Sequence, residues 1–115
     1  MDQIKKITEK IIAFRNARDW EQFHKPKDLA ISLSLEVAEV LEHFQWKSEE
    51  EIKDYIKNNK EEIGEELADV FNYLLIIAHD LKIDLGKASK DKIKKNAIKY
   101  PIKKAKGKHT KYNKL

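Results

Sequence analysis

Apolar residues recur at helical spacing along most of the chain. Ile4, Ile7, Ile11 and Phe14 fall at three- and four-residue steps with Lys5, Lys6, Lys10 and Arg15 between them, which predicts an amphipathic helix over 2–17. The run from Arg18 to Pro26 breaks the period, and Pro26 biases Lys25 away from helical angles, so this segment reads as a connector. Asp28 is the expected N-cap of a second helix ending near Trp46, whose Leu29, Leu33, Val37, Leu41 and Phe44 form the core-facing stripe. Ser48 with Glu51 makes a capping box that opens a short helix carrying Ile52, Tyr55 and Ile56, with Asn58 and Asn59 as its interruption. The strongest period follows in Ile63, Leu67, Val70, Leu74, Ile77 and Leu81, and marks the expected centre of a bundle. A last helix over 84–99 carries Leu85, Ala88, Ile93 and Ala97 and stops at Tyr100-Pro101. The predicted architecture is all-α, a four- to five-helix bundle, in a helical domain over 1–100 followed by a basic tail over 101–115. That tail, with six Lys and Gly107, reads as mobile.

Four acidic residues interrupt this pattern where a core should be apolar. Glu36 and Glu39 flank the stripe of the second helix, and Glu66 and Asp69 run beside the strongest seam, followed at i+7 by Tyr73. Side chains three residues apart share a helix face, so each pair is a two-pronged oxygen clamp. Two such helices packed together would gather four negative groups that a cation must offset. Hard divalent ions such as Mg²⁺ take oxygen ligands and complete their shell with waters and substrate phosphates, which points to phosphate chemistry.

Composition narrows the field. The 115 residues suffice for one core, and three Gly and two Pro leave few strand signals. The absence of Cys excludes disulfides, thiolate zinc sites and a cysteine nucleophile. The charged stretch over 1–10 lacks the apolar run of a signal peptide, and no segment is apolar enough to span a bilayer, so the expected location is cytoplasmic. Residues 1–81 hold 11 basic against 18 acidic residues and residues 82–115 hold 13 against 2, so acidic helices precede a basic third suited to phosphates.

The residues resemble the MazG-like all-α nucleoside triphosphate pyrophosphohydrolases, especially the dCTP pyrophosphatase branch. The signature E-x-x-E, a gap, then E-x-x-D reads here Glu36-Val-Ala-Glu39, 26 residues, then Glu66-Leu-Ala-Asp69. Specificity comes from the blocks around it: Arg18-Asp-Trp-Glu-Gln-Phe-His24 with Pro26, Phe44-Gln-Trp-Lys47, Tyr73 after Asp69, and Asn96 with Tyr100-Pro101. The resemblance implies Mg²⁺-dependent hydrolysis of a nucleoside triphosphate between its α and β phosphorus atoms, with Glu36, Glu39, Glu66 and Asp69 as catalytic metal ligands. It further implies Trp20, His24, Trp46 and Tyr73 around the base and sugar, where flat aromatic faces can stack. Lys92 and Asn96, one turn apart on the last helix, are the candidates for the triphosphate oxygens. One position departs from the branch: Ile11 stands where those enzymes carry a histidine near the base. An apolar side chain cannot hydrogen-bond a base edge, so selectivity for cytosine does not follow, and other pyrimidine or modified nucleotides remain expected substrates.

Three other readings compete. A ferritin-like di-iron bundle needs E-x-x-H on two helices, and the one present, Glu21 to His24, lies in the connector. A nucleic-acid-binding module would use the basic third, yet the aromatics lie mostly in the acidic part and no such motif occurs, which makes a nucleic-acid partner unfavoured. A structural helical oligomer is the third. A homo-oligomer, dimer or dimer of dimers, is expected in any case, because the stripes exceed what one short bundle covers and the resemblance implies it.

Overall fold

The computed structural model describes residues 2–115 and is all-α, with no strand among them. Helix α1 is Gln3–Ala17, α2 is Pro26–Glu42, α3 is Glu49–Asp80, α4 is Leu85–Lys99 and α5 is Ile102–Ala105, with 3₁₀ turns at Glu21–Phe23 and Tyr112–Lys114. The chain forms two compact units, one running to Lys82 and the other Ile83–Leu115. In the first unit α3 packs against both α2 and α1.

Side-chain caps set three of the helix starts. Asp2 accepts from the Lys5 amide at 2.9 Å, Asp84 accepts from the Lys87 amide at 3.0 Å, and Ser48 and Glu51 exchange the reciprocal bonds of a capping box at 3.2 Å. Helix α2 begins earlier than its sequence suggests. Lys25 is the N-cap and Pro26 the first helical residue, because proline's fixed φ suits that position and its missing N–H costs nothing there. Asp28 therefore lies in the first turn, where its charge complements the helix dipole. At the other end α2 stops at Glu42 rather than near Trp46, and Trp46 takes φ 68°, a left-handed conformation that no helix continues through. The break expected at Asn58 and Asn59 is a kink within α3: Asn59 has φ −128°, ψ 23°, and its side-chain amide donates to the Tyr55 carbonyl at 2.9 Å.

Residues 101–115, expected as a mobile basic tail, carry α5 and the last 3₁₀ turn. Tyr112 meets Tyr100 edge-on at 6.1 Å, and the Lys99 ammonium lies over the Tyr112 ring at 4.9 Å.

Among the described residues the buried apolar core is small: Leu29 from α2, with Leu75, Ile76 and Ala78 from α3. The seam read from sequence is only half covered, since Leu67, Leu74 and Leu81 are exposed while Ile63, Val70 and Ile77 are intermediate. On α2 the expected core residues Val37 and Leu41 are likewise exposed. The end of α3 is apolar on several sides, from Leu74 through Ala78, so heptad spacing alone does not choose which side α1 and α2 cover.

Beside this core sits a charged group. Arg15 of α1 is 2 % exposed, and its guanidinium donates two bonds to Asp80 of α3, at 2.8 and 3.0 Å. The hydrogen-bonded guanidinium holds the Asp80 carboxyl below its usual value and Asp80 raises that of Arg15. The Asp80 contribution to stability is therefore complete above the ordinary carboxylate value and is lost as pH falls through the lowered one. Removing one partner leaves a buried charge unpaired. Asp80→Ala should cost about 3 kcal/mol in urea unfolding at pH 7, whereas the double change Arg15→Met with Asp80→Leu should cost less than the single one. A single change within experimental error of the parent would show that the pair does not tie α1 to α3.

Candidate metal centre

Both acidic pairs lie on the packed pair α2 and α3, and the three-residue spacing within each puts its carboxylates on one side of its helix. The structure brings all four together: one oxygen from each of Glu36, Glu39, Glu66 and Asp69 can be chosen so that all lie within 4.8 Å of one another. Glu36 and Glu66 are half-buried, and each has one carboxylate oxygen, Oε2, that is buried and makes no hydrogen bond. Buried acceptors without donors are costly, and four carboxylates at this separation repel. The proton affinities record both effects. Burial, then hydrogen bonding to Glu39, then the charges of Glu39, Asp69 and Glu66 push Glu36 up to about 7. Glu66 is raised as well, first by hydrogen bonding to Glu39. An all-oxygen, negatively charged donor set with orphaned oxygens could hold a hard metal ion.

The remaining candidates are spread out. Tyr73 is half-buried on α3, one turn beyond Asp69. Trp20 packs edge-on against Phe14 at 5.7 Å and is half-exposed. His24 has Nδ1 buried without a partner, and its electrostatic neighbours are the ion pair Arg15 and Asp80, with burial and then Arg15 pushing its pKa down. Asp80 follows Asp69 by eleven residues, about 16 Å along a helix, so His24 lies by the C-terminal end of α3 while the carboxylates lie near its middle. Trp46 is 91 % exposed in the turn after α2. Lys92 and Asn96 are exposed on α4 of the second unit.

Two residues not singled out in the sequence lie beside the carboxylates. An open cleft of about 260 Å³ is lined by Glu39, Glu42, His43, Tyr55 and Glu66. His43 Nδ1 and the Tyr55 hydroxyl are 2.6 Å apart, and the Lys47 ammonium lies over the Tyr55 ring at 4.3 Å. A signal for His43 existed: Glu36, Glu39, His43 repeats the spacing of Glu66, Asp69, Tyr73, which puts it on the acidic side of α2. Tyr55 is joined to that row only by the turn between α2 and α3, which spacing does not report.

The chain is similar to proteins of known family. The MazG-like family model matches residues 31–115. The chain is 40% identical over 104 residues to dCTP pyrophosphatase 1 of Rattus norvegicus and 38% identical to dCTP pyrophosphatase 1 of Homo sapiens. Each match covers 89% of this chain but 61% of the relative, so the chain spans about three fifths of their length. Among solved structures, a pyrophosphatase from Archaeoglobus fulgidus superposes with a TM-score of 0.83 at 40% identity, covering 88% of this chain and 94% of its own.

A raised carboxylate pKa has a definite sign in stability. Between the ordinary value of 4.5 and about 7 the folded chain holds a proton on Glu36 that the unfolded chain has lost, so stability falls as pH rises through that window. In chelator, thermal unfolding should shift down between pH 5 and about 7, the shift should shrink in Glu36→Gln, and divalent cation should restore stability at pH 7. A parent and a Glu36→Gln chain with identical pH profiles, both indifferent to cation, would rule out strain in this cluster.

Proposed function

This chain belongs to the MazG-like family, and from that premise we propose that it is a Mg²⁺-dependent nucleoside triphosphate pyrophosphohydrolase. It would convert a (deoxy)nucleoside triphosphate, a pyrimidine such as dCTP or a modified analogue, to the monophosphate and pyrophosphate. The observation that carries the reading is the convergence of Glu36, Glu39, Glu66 and Asp69 from two packed helices onto one small volume. The names of the relatives, dCTP pyrophosphatase 1 and a pyrophosphatase, support the reaction class.

The four carboxylates would hold the cation, and the all-oxygen set suits Mg²⁺. Bound there, Mg²⁺ supplies charge compensation for the triphosphate and acidifies the attacking water. The same carboxylates offer a general base within the cluster, so no serine or cysteine nucleophile is required. Trp20, His24, Trp46 and Tyr73 are the proposed contacts of the base and sugar, and Lys92 and Asn96 those of the phosphates. The exposure of Trp46 leaves its indole face open to stacking, which supports that assignment. Ile11 in place of a hydrogen-bonding residue supports a base preference broader than cytosine.

The chain is further proposed to work as a homo-oligomer, a dimer or a dimer of dimers, formed by a second copy covering the apolar faces of α2 and α3. Leu67, Phe71 and Leu74 form one exposed row on α3, and α2 exposes Ile31, Leu35, Val37 and Leu41, with Leu35 and Leu41 more than 60 % accessible. Exposed apolar rows of this kind beside a small core support an interface there. Sedimentation at micromolar concentration should give twice or four times the chain mass, and a monomer would exclude the arrangement.

Activity tests the site directly. Glu39→Gln and Asp69→Asn keep side-chain volume and remove a charge, so each should lower pyrophosphate release at saturating Mg²⁺ by about a hundred-fold or more while circular dichroism stays helical. Turnover within a few-fold of the parent across canonical and modified triphosphates would place the chemistry elsewhere.

A further inference from the structure

The hydrogen bond between His43 Nδ1 and Tyr55 occupies one ring nitrogen, and Nε2 is the other that this cleft-lining imidazole can offer. Glu39, Glu42 and Glu66 line that cleft as carboxylates, which when ionised only accept hydrogen bonds. If Nδ1 carried the ring proton, the Nε2 lone pair would lie in a field set by acceptors, an unfavourable arrangement. If the Tyr55 hydroxyl donates to Nδ1, the neutral ring must carry its proton on Nε2, and that N–H is favoured by the surrounding negative charge. A doubly protonated ring also presents Nε2–H. Two of the three states thus leave Nε2 as a donor, and the acidic surroundings disfavour the third. Nε2 makes no hydrogen bond to any described residue, so the donor is unspent.

An occupant suited to this cleft brings cationic charge for the carboxylates and acceptor oxygens for the imidazole. A metal-complexed phosphate chain has both. Resting on the triphosphate hydrolysis proposed above, we propose that His43 is a substrate-positioning residue whose Nε2–H donates to a non-bridging phosphate oxygen of the nucleotide, with Tyr55 holding the ring in the required tautomer. Lys47, stacked on the Tyr55 face, keeps the phenol in place.

Three variants separate this role from simple packing. His43→Leu removes the donor, His43→Gln returns an N–H near the position of Nε2, and Tyr55→Phe keeps the ring under Lys47 but releases the imidazole. Steady-state hydrolysis of dCTP with Mg²⁺ should show KM raised about ten-fold or more in His43→Leu, as expected for a lost hydrogen bond to a charged group, with kcat changed less. His43→Gln should recover most of that loss and Tyr55→Phe should lie between. A His43→Leu chain with KM within two-fold of the parent, or a Gln variant as impaired as Leu, would overturn the assignment while leaving the hydrolase reading intact. A parent chain inactive on every triphosphate would overturn both. Should His43→Leu fail to fold, ¹⁵N-histidine spectra of the parent decide: His43 should be protonated on Nε2 and shift when Mg²⁺ and inorganic pyrophosphate are added together, and an unprotonated or unmoved Nε2 would contradict the proposal.

Discussion

Four carboxylates held against one another between two helices are the constraint on which the rest of this molecule depends. Like charges whose oxygens converge within 4.8 Å favour separation, and two of those oxygens are buried without donors. A proton or a cation relieves this repulsion, and burial with the neighbouring carboxylates pushes Glu36 up to about 7. The packing of α2 on α3 must therefore be strong enough to hold an arrangement that its own polar groups oppose. Functional sites commonly store unfavourable energy in this way, to be released when the right ligand arrives.

A single copy of the chain supplies little of that strength. Among the described residues four apolar side chains are buried, while several large ones on α2 and α3 are exposed. Arg15 and Asp80 tie α1 to the C-terminal end of α3, about three turns beyond Asp69. The exposed rows on α2 and α3 lie on the same helices that carry the acids, so a second copy packed on them would stiffen the elements whose geometry sets the metal centre. Assembly and cation binding would then support one another, each favouring the same placement of α2 against α3.

Much of this was legible in the sequence, for identifiable reasons. Acidic pairs at i, i+3 beside apolar stripes marked the four carboxylates as candidates, and helix geometry put each pair on one side of its helix. Asp2, Ser48 and Asp84 announced helix starts because a capping side chain is a local device. Asp28 misled because Pro26 at the first helical position offered an equally local and stronger start, three residues earlier than a cap at Asp28 gives. The seam of α3 misled for a different reason: where Leu74 to Ala78 are apolar in succession, burial is decided by what packs there, and α1 and α2 chose Leu75, Ile76 and Ala78 over Leu74 and Leu81. The His43 to Tyr55 bond joins two helices across a turn that contains Trp46 at positive φ, and no periodicity encodes such a closure.

The central claim is that the four carboxylates bind a divalent cation, and that the cation competes with the proton that the raised Glu36 carboxyl takes up. Calorimetric titration of the chain with Mg²⁺, repeated in buffers of different ionisation enthalpy, measures that proton directly. Near pH 6, below the raised Glu36 value, each cation bound should release close to one proton, and near pH 8.5 the release should fall towards zero. Cation binding with no proton release at either pH, or no binding at all, would contradict the account.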